Sequence, residues 1–335
     1  MSQTILLTGI TGFIAKAIAA DLLNAGYAVR GSLRSPDRAQ EVRDAIAPRL
    51  TDRASLTRLS FVTLDLMADD GWDAAMEGVA AVIHTASPFP AKTPAHEADL
   101  IRPAVDGVLR ALRAAEAAGV RRVVMTSSTA AIMQRDLPDG TTVTAEMWSD
   151  LNHVSMTAYA RSKTLAERAA WDFAEQHPSM QLTAINPSLV IGTPLDRHYG
   201  TSLGVIAQMI SGKLPLMPNV GLALVDVTDV AQAHVAALKA PHSIGKRILL
   251  VSDYVMARDL VAMLRDAAPQ ARLPRVAVPR LVARAIGLVS PQVRSLVPLI
   301  DKTLHIDNAP ARDLLGIAFT PPAGAVAATV CALNA

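Results

Sequence analysis

The run Tyr159-Ala160-Arg161-Ser162-Lys163 sets a phenol four residues ahead of an ammonium. Residues four apart on a helix share a face, so the cation stands where it can stabilise a phenolate. At an effective dielectric of about 20 and a separation of about 4 Å, the attraction is roughly 4 kcal/mol, or about three pKa units. That is enough to draw a phenol down from about 10 toward neutrality, where it can give or take a proton during a reaction. The same pair on a solvated helix would be a Tyr beside a snorkelling Lys. What decides between the two is the order of elements around it.

Those elements begin with Thr8-Gly9-Ile10-Thr11-Gly12-Phe13-Ile14-Ala15, which closes the first apolar run and opens a helical stretch. A Gly-x-x-Gly-x-x-Ala turn between a buried strand and a helix lets backbone approach a pyrophosphate, and the helix N-terminus offers it unpaired N–H groups. Ala15 stands in the third glycine position, which is compatible with slightly looser helix–strand packing. The end of the second strand decides the dinucleotide, because an Asp or Glu there normally accepts from the ribose 2′-hydroxyl of NAD. Here Arg34, Ser35 and Arg38 offer a fork, a hydroxyl and a second cation, which suits a 2′-phosphate, with Asp37 after Pro36 expected to point outward. NADP(H) is therefore favoured over NAD(H). Asp65 and Leu66, just past the third strand, are placed to meet the adenine end. A tuned Tyr combined with such a site reads as a nicotinamide-dependent oxidoreductase.

Apolar strands alternate with amphipathic helices through the first half, the pattern of βαβ units in a parallel sheet. Strands are expected at 4–8, 28–33, 59–64, 80–84, 122–127 and 181–186, and helices at 13–24, 39–47, 71–77, 99–118 and 157–177. The expected fold is α/β, a doubly wound parallel sheet of Rossmann type with a smaller C-terminal substrate-binding lobe. Residues 1–190 would form the NADP-binding domain, completed by about 226–254 with a helix at 226–238 and a strand at 247–252. Residues 191–225 and 255–335 would form the lobe. Gly192, Gly200, Gly204 and Gly212 with Pro194, Pro215 and Pro218 suggest an irregular, mobile cover over the substrate rather than another helix-and-strand unit.

Composition narrows the class. With 51% hydrophobic and 19% charged residues the chain can bury a sizeable core, and a formal net charge of +2 gives no electrostatic case for nucleic acid or a membrane surface as partner. Its one cysteine, Cys331, cannot form an internal disulfide and fits a reducing compartment. No signal-like start and no apolar span long enough for a bilayer is evident, so a cytoplasmic protein is expected, monomer or homodimer. His84, His153, His177, His198 and His234 lack ligand spacing, and no metal is expected.

Taken with His84-Thr85-Ala86-Ser87-Pro88, Thr126-Ser127-Ser128, Asn186-Pro187-Ser188 and the run Val225 to His234, these motifs resemble the extended short-chain dehydrogenase/reductases. The branch they are most similar to holds the dihydroflavonol, cinnamoyl-CoA and yeast ketone reductases. The likeness runs from the N-terminus to about Tyr254 and returns weakly over 307–316. It implies that Ser128 hydrogen-bonds the substrate oxygen, with Ser127 the second choice, that Tyr159 delivers the proton, and that Lys163 holds the Tyr pKa and the nicotinamide ribose. It places Thr85, Ala86 and Ser87 near the ribose and pyrophosphate, and Pro187, Ser188 and Val190 at the nicotinamide end. Phe89, Met133 and Tyr199, with Pro90, Met156, Leu203 and Met209, would make an apolar substrate pocket, or belong to the core. Met133 stands where flavonoid reductases carry an amide, which argues against a dihydroflavonol. His234 is expected to be structural. The implied activity is reversible NADPH-dependent reduction of aldehydes or ketones. Hydroxysteroid oxidation, an NAD-dependent sugar-nucleotide epimerase or dehydratase, and a non-catalytic NADP-sensing scaffold are the alternatives.

Overall fold

The computed structural model describes residues 2–87 and 96–334. In chain order, β1 (Thr4–Thr8), α1 (Phe13–Asn24), β2 (Ala28–Leu33), α2 (Ala39–Ile46), β3 (Leu59–Thr63), α3 (Trp72–Met76), β4 (Val79–His84), α4 (Ala98–Ala117) and β5 (Arg122–Thr126) alternate strictly. A two-residue strand, β6 (Thr142–Val143), precedes α5 (Ala158–Gln176) and β7 (Gln181–Pro187). Then come β8 (Leu189–Ile191), α6 (Gly200–Ile210), β9 (Leu216–Met217), β10 (Gly221–Asp226), α7 (Val227–Lys239), β11 (Arg247–Leu250), β12 (Asp253–Met256) and α8 (Ala257–Ala267). The chain ends in β13 (Arg275–Val276), α9 (Arg280–Gly287), α10 (Pro291–Leu296), β14 (His305–Ile306), α11 (Ala309–Leu315) and α12 (Pro322–Asn334).

Seven strands form one parallel sheet in the order β11-β7-β5-β4-β1-β2-β3. Strand order reverses between β1 and β4, and a doubly wound sheet opens its ligand crevice at that point. Sheet residues of alternate parity feed two cores. Ile5, Leu7, Val29 and Ile83 pack with α1 and α7 on one face, and Leu6, Val82, Val123 and Leu182 pack with α4 and α5 on the other. This is why the strands read as near-continuous apolar runs.

A second sheet, β12-β10-β8, lies over a separate core that includes Ile206, Met209, Leu260, Leu264 and Val326. Here the expectation for 192–220 is corrected. Residues Gly200–Ile210 are helical, because Leu203, Ile206 and Met209 recur on one face and are buried, which outweighs the glycines. The rest of the stretch contributes β9, paired with β13. Among the described residues no helix is long and apolar enough to cross a membrane.

Candidate active site

The reversal point is built from the turns after β1 and β4. Thr8 Oγ1 hydrogen-bonds His84 Nδ1 at 3.0 Å and accepts from Ala86 N at 3.1 Å, while Thr85 Oγ1 donates to Thr8 O at 2.6 Å. Gly9 sits between the two turns at φ +69°, and a Cβ there would lie 3.0 Å from the Cα of Ala86. Only glycine fits this left-handed, crowded position. Gly9 N also donates to Ser32 Oγ at 3.0 Å. Gly12 then caps α1 with no side-chain bond to the first-turn N–H groups, which leaves them available to an anion.

These turns wall a cavity of about 930 Å³. Of the residues singled out in the sequence for the cofactor, Gly9, Thr11, Gly12, Phe13, Ile14, Arg34, Asp65, Leu66, Thr85, Ala86, Ser87 and Val190 line it, together with Tyr199, singled out for the substrate. Ser32, Asp99, Pro103 and Thr126 line it as well and escaped sequence reading. Ser32 had a signal, its place in β2 one residue before the strand ends. Asp99 and Pro103 come from α4, whose docking no local pattern reveals. Thr8 is fully buried beneath the cavity and acts through its hydrogen bonds. The cradle fits a dinucleotide: a backbone approach that a Cβ would fill, an open helix N-terminus, and an elongated cleft crossing the strand reversal.

At the second strand's end Arg34 is exposed and, among the described residues, has no ion-pair or hydrogen-bond partner. Arg38 differs. Its Nε and Nη2 donate to both carboxylate oxygens of Glu41, at 3.0 and 2.7 Å, which raises the guanidinium pKa and lowers that of Glu41. Neither Arg38 nor Ser35 lines the cavity. Asp65 Oδ1 accepts from Met67 N at 2.9 Å, closing its own turn. Nearby, Glu41, Asp196 and His198 converge, but the buried Lys16 pairs with Asp196 and Arg38 holds Glu41, so both carboxylates already have cations.

Ser128, Tyr159 and Lys163 stand behind the cavity wall rather than in it. Tyr159 and Ser128 hydrogen-bond through their side chains, and Ser128 Oγ also accepts from Ala130 N at 3.1 Å, capping a short turn. Lys163, one turn along α5 from Tyr159, lies close enough to His84 to oppose its protonation. Ser127 is turned away and donates to the buried Glu167 Oε2 at 2.5 Å. The expected lowering of the phenol is not found. Burial raises the Tyr159 pKa, outweighing its bond to Ser128, and burial also depresses Lys163 to about 8 against the pull of Glu167. Both side chains retain some accessible surface, yet desolvation disfavours each charged form more than their neighbours favour it.

Glu167 joins these parts. It accepts from Asn186 Nδ2 at 2.8 Å and Arg247 Nε at 2.6 Å, and Asn186 Nδ2 reaches Ser128 O at 3.2 Å. Glu167 falls two turns beyond Tyr159 on α5, a spacing that could have flagged it. His234 is structural, as expected: Nδ1 donates to Val230 O and Nε2 accepts from Thr126 Oγ1, each at 2.7 Å, and burial lowers its pKa to about 4. Pro187 ends β7 in the main sheet, and the buried Ser188 hydroxyl has no partner among the described residues. Met133 packs against the cluster of Ile132, Leu137 and Val143 instead of lining the cavity, and Leu203 and Met209 are fully buried core. Phe89 and Pro90 lie outside the described residues.

The fold and this cleft define a nucleotide-dependent oxidoreductase of Rossmann type, and comparison with known proteins agrees. Residues 5–252 match the NAD dependent epimerase/dehydratase family. The chain belongs to that family, among its extended short-chain dehydrogenase/reductases. It is 33% identical to cinnamoyl-CoA reductase CAD2 of Medicago truncatula, over 82% of this chain and 83% of that protein. It is 32% identical to the ketoreductase azaE of Aspergillus niger, over 95% and 94%. The structure of yeast methylglyoxal/isovaleraldehyde reductase Gre2 complexed with NADPH superposes with a TM-score of 0.81 at 27% identity, covering 99% of this chain and 98% of Gre2.

Proposed function

We propose that this chain is an NADPH-dependent reductase of aldehydes and ketones, working reversibly, with Tyr159 as proton donor and residues 191–225 and 255–335 forming the substrate-binding lobe. The observation that carries the reading is the Ser128–Tyr159 side-chain hydrogen bond, with Lys163 one helical turn away beside the end of β4. Bound NADPH supplies hydride to the carbonyl carbon. The chain's own groups handle the oxygen. Ser128 and Tyr159 donate to it, stabilising the charge that develops there, and the Tyr159 proton passes to it to give the alcohol. Burial keeps Tyr159 protonated at neutral pH, the form an acid must have, and the Lys163 cation then offsets the phenolate left behind.

The first-turn N–H groups of α1 hold the pyrophosphate, and Arg34 takes the 2′-phosphate. Val190 and Tyr199 line the same cavity, Val190 serving the nicotinamide end and Tyr199 the substrate. The NADPH bound by yeast Gre2 and the carbonyl substrates named for the relatives support this reading. The test is Tyr159→Phe. Its kcat should fall by about 10²-fold or more, with the NADPH Kd, read by fluorescence titration, unchanged. Retention of more than about a third of the activity would refute the assignment.

A further inference from the structure

A second cleft, of about 600 Å³, lies between α8 and the chain that follows it and shares no residue with the dinucleotide cavity. Arg258, Val261 and Arg265 project from one face of α8, at positions i, i+3 and i+7. Asp259 and Asp266 sit about 100° further round the helix and do not line the cleft. Beyond Pro269 the chain returns along the opposite wall, adding Arg272 and Arg275.

That wall is fixed. Arg275 begins β13, which pairs with β9, and its N–H donates to Pro215 O at 2.9 Å. Arg272 packs on Gly212, where a Cβ would lie 3.0 Å from the Arg272 Cβ. Among the described residues, none of the four guanidiniums has an ion-pair or hydrogen-bond partner, whereas Arg30, Arg58 and Arg122 donate theirs to backbone carbonyls. Four uncompensated like charges around one concavity repel one another, in a chain whose formal charge is only +2. All four are solvent-exposed, so water and salt screen that repulsion, and the concavity keeps a positive field open to an anion.

We propose that this cleft binds a small molecule bearing an oligophosphate group. Guanidinium forks accept phosphate oxygens bidentately, and forks on two facing walls match a ligand whose negative charge is spread over several linked phosphates. Val261, Leu273 and Val276 give the cleft an apolar part against which an organic moiety can rest.

The test is isothermal titration with inorganic tripolyphosphate and, separately, with ATP, on the full chain and three variants. Arg265→Ala with Arg272→Ala should weaken both ligands by roughly 10-fold or more, since each lost charge-assisted contact carries that order of effect. Arg34→Ala, in the dinucleotide cavity, and Arg280→Ala with Arg284→Ala, on α9, should bind as the parent does. Tighter binding of ATP than of tripolyphosphate assigns a nucleotide, and equal binding assigns the phosphates alone. The proposal is overturned if tripolyphosphate does not bind in the millimolar range, if the α9 variant loses as much affinity as the cleft variant, or if Arg34→Ala abolishes the binding.

Discussion

Glu167 is fully buried, and its carboxylate is shared by Ser127, Asn186 and Arg247, with the Arg247 side chain only 9% exposed. Glu167→Gln keeps the shape and removes the charge. The buried guanidinium of Arg247 is then left without its counter-ion, although it still donates to the carbonyls of Ala145 and Met147. Breaking a buried pair from one side costs about 3–5 kcal/mol. At about 2.1 cal/mol/K per residue, the unfolding entropy of 335 residues makes each kcal/mol worth about 1.4 °C. Differential scanning calorimetry should therefore find the midpoint lowered by about 4–7 °C. Activity should respond separately. Glu167 raises the Lys163 pKa against the burial that holds it at about 8. Lys163 loses its cation as pH rises through that value, so kcat/KM should fall on the alkaline side, and in Glu167→Gln that fall should begin at lower pH. Adding Arg247→Met removes the stranded charge and should recover part of the lost midpoint without restoring the pH profile. A single variant that melts within about 1 °C of the parent and keeps its alkaline limb would refute both the energetic and the electrostatic reasoning.

Cofactor choice should rest on Arg34 and not on Arg38. Arg34→Ala should raise KM for NADPH by roughly 30- to 150-fold, the worth of about 2–3 kcal/mol, with little change for NADH, while Arg38→Ala, whose partner is Glu41, should change NADPH affinity far less; steady-state kinetics with both cofactors decides. Gly9→Ala forces a left-handed residue against Ala86, so it should cost about 1–2 kcal/mol of stability and weaken NADPH in a fluorescence titration. Ser128→Ala should lower kcat with little change in midpoint, whereas Ser127→Ala, which removes a buried bond to Glu167, should lower the midpoint first; kinetics and calorimetry on the two variants test the assignment.

The first half of the fold was legible because each element carried its own punctuation. Phe13–Asn24 and Ala28–Leu33 match expectation to the residue, with Gly26 at φ +91° turning the chain between them. The strand reversal followed from the βα alternation and the glycine turn. What failed was Gly200–Ile210, where two glycines and a Tyr N-cap without a side-chain bond concealed an apolar period that tertiary burial of Leu203, Ile206 and Met209 makes decisive. The second sheet was missed for a related reason. β8 is only three residues long and sits directly after β7, so its partner β10 declares it, not its own sequence. Within the site, the choice between Ser127 and Ser128 could not be read from alternation, since every residue of β5 is buried. The Arg38–Glu41 pair was local enough to see at three residues' separation. Lys16 with Asp196, 180 residues apart, was not.

Tyr159 and Lys163 share one face of α5, as their spacing predicts, but the phenol pKa moves opposite to the direction that spacing alone implies. Tyr and Lys on one helix face do meet a buried neighbourhood, but the attraction between a phenolate and an ammonium counts only after both have left water. In this structure desolvation raises the phenol and depresses the amine. Each neutral form is favoured, and the resting site therefore holds a protonated Tyr159 at neutral pH. A carbonyl reductase needs that state, because its Tyr must begin as an acid. Alcohol oxidation would need the phenolate, and burial works against it until pH rises. The same rise removes the Lys163 cation near pH 8. Under the proposed assignment of Tyr159 as proton donor, burial therefore biases the resting side chain toward the protonated form from which reduction starts. The bias comes from the depth at which β5 and α5 hold these side chains, a property that the Tyr-to-Lys spacing alone does not encode.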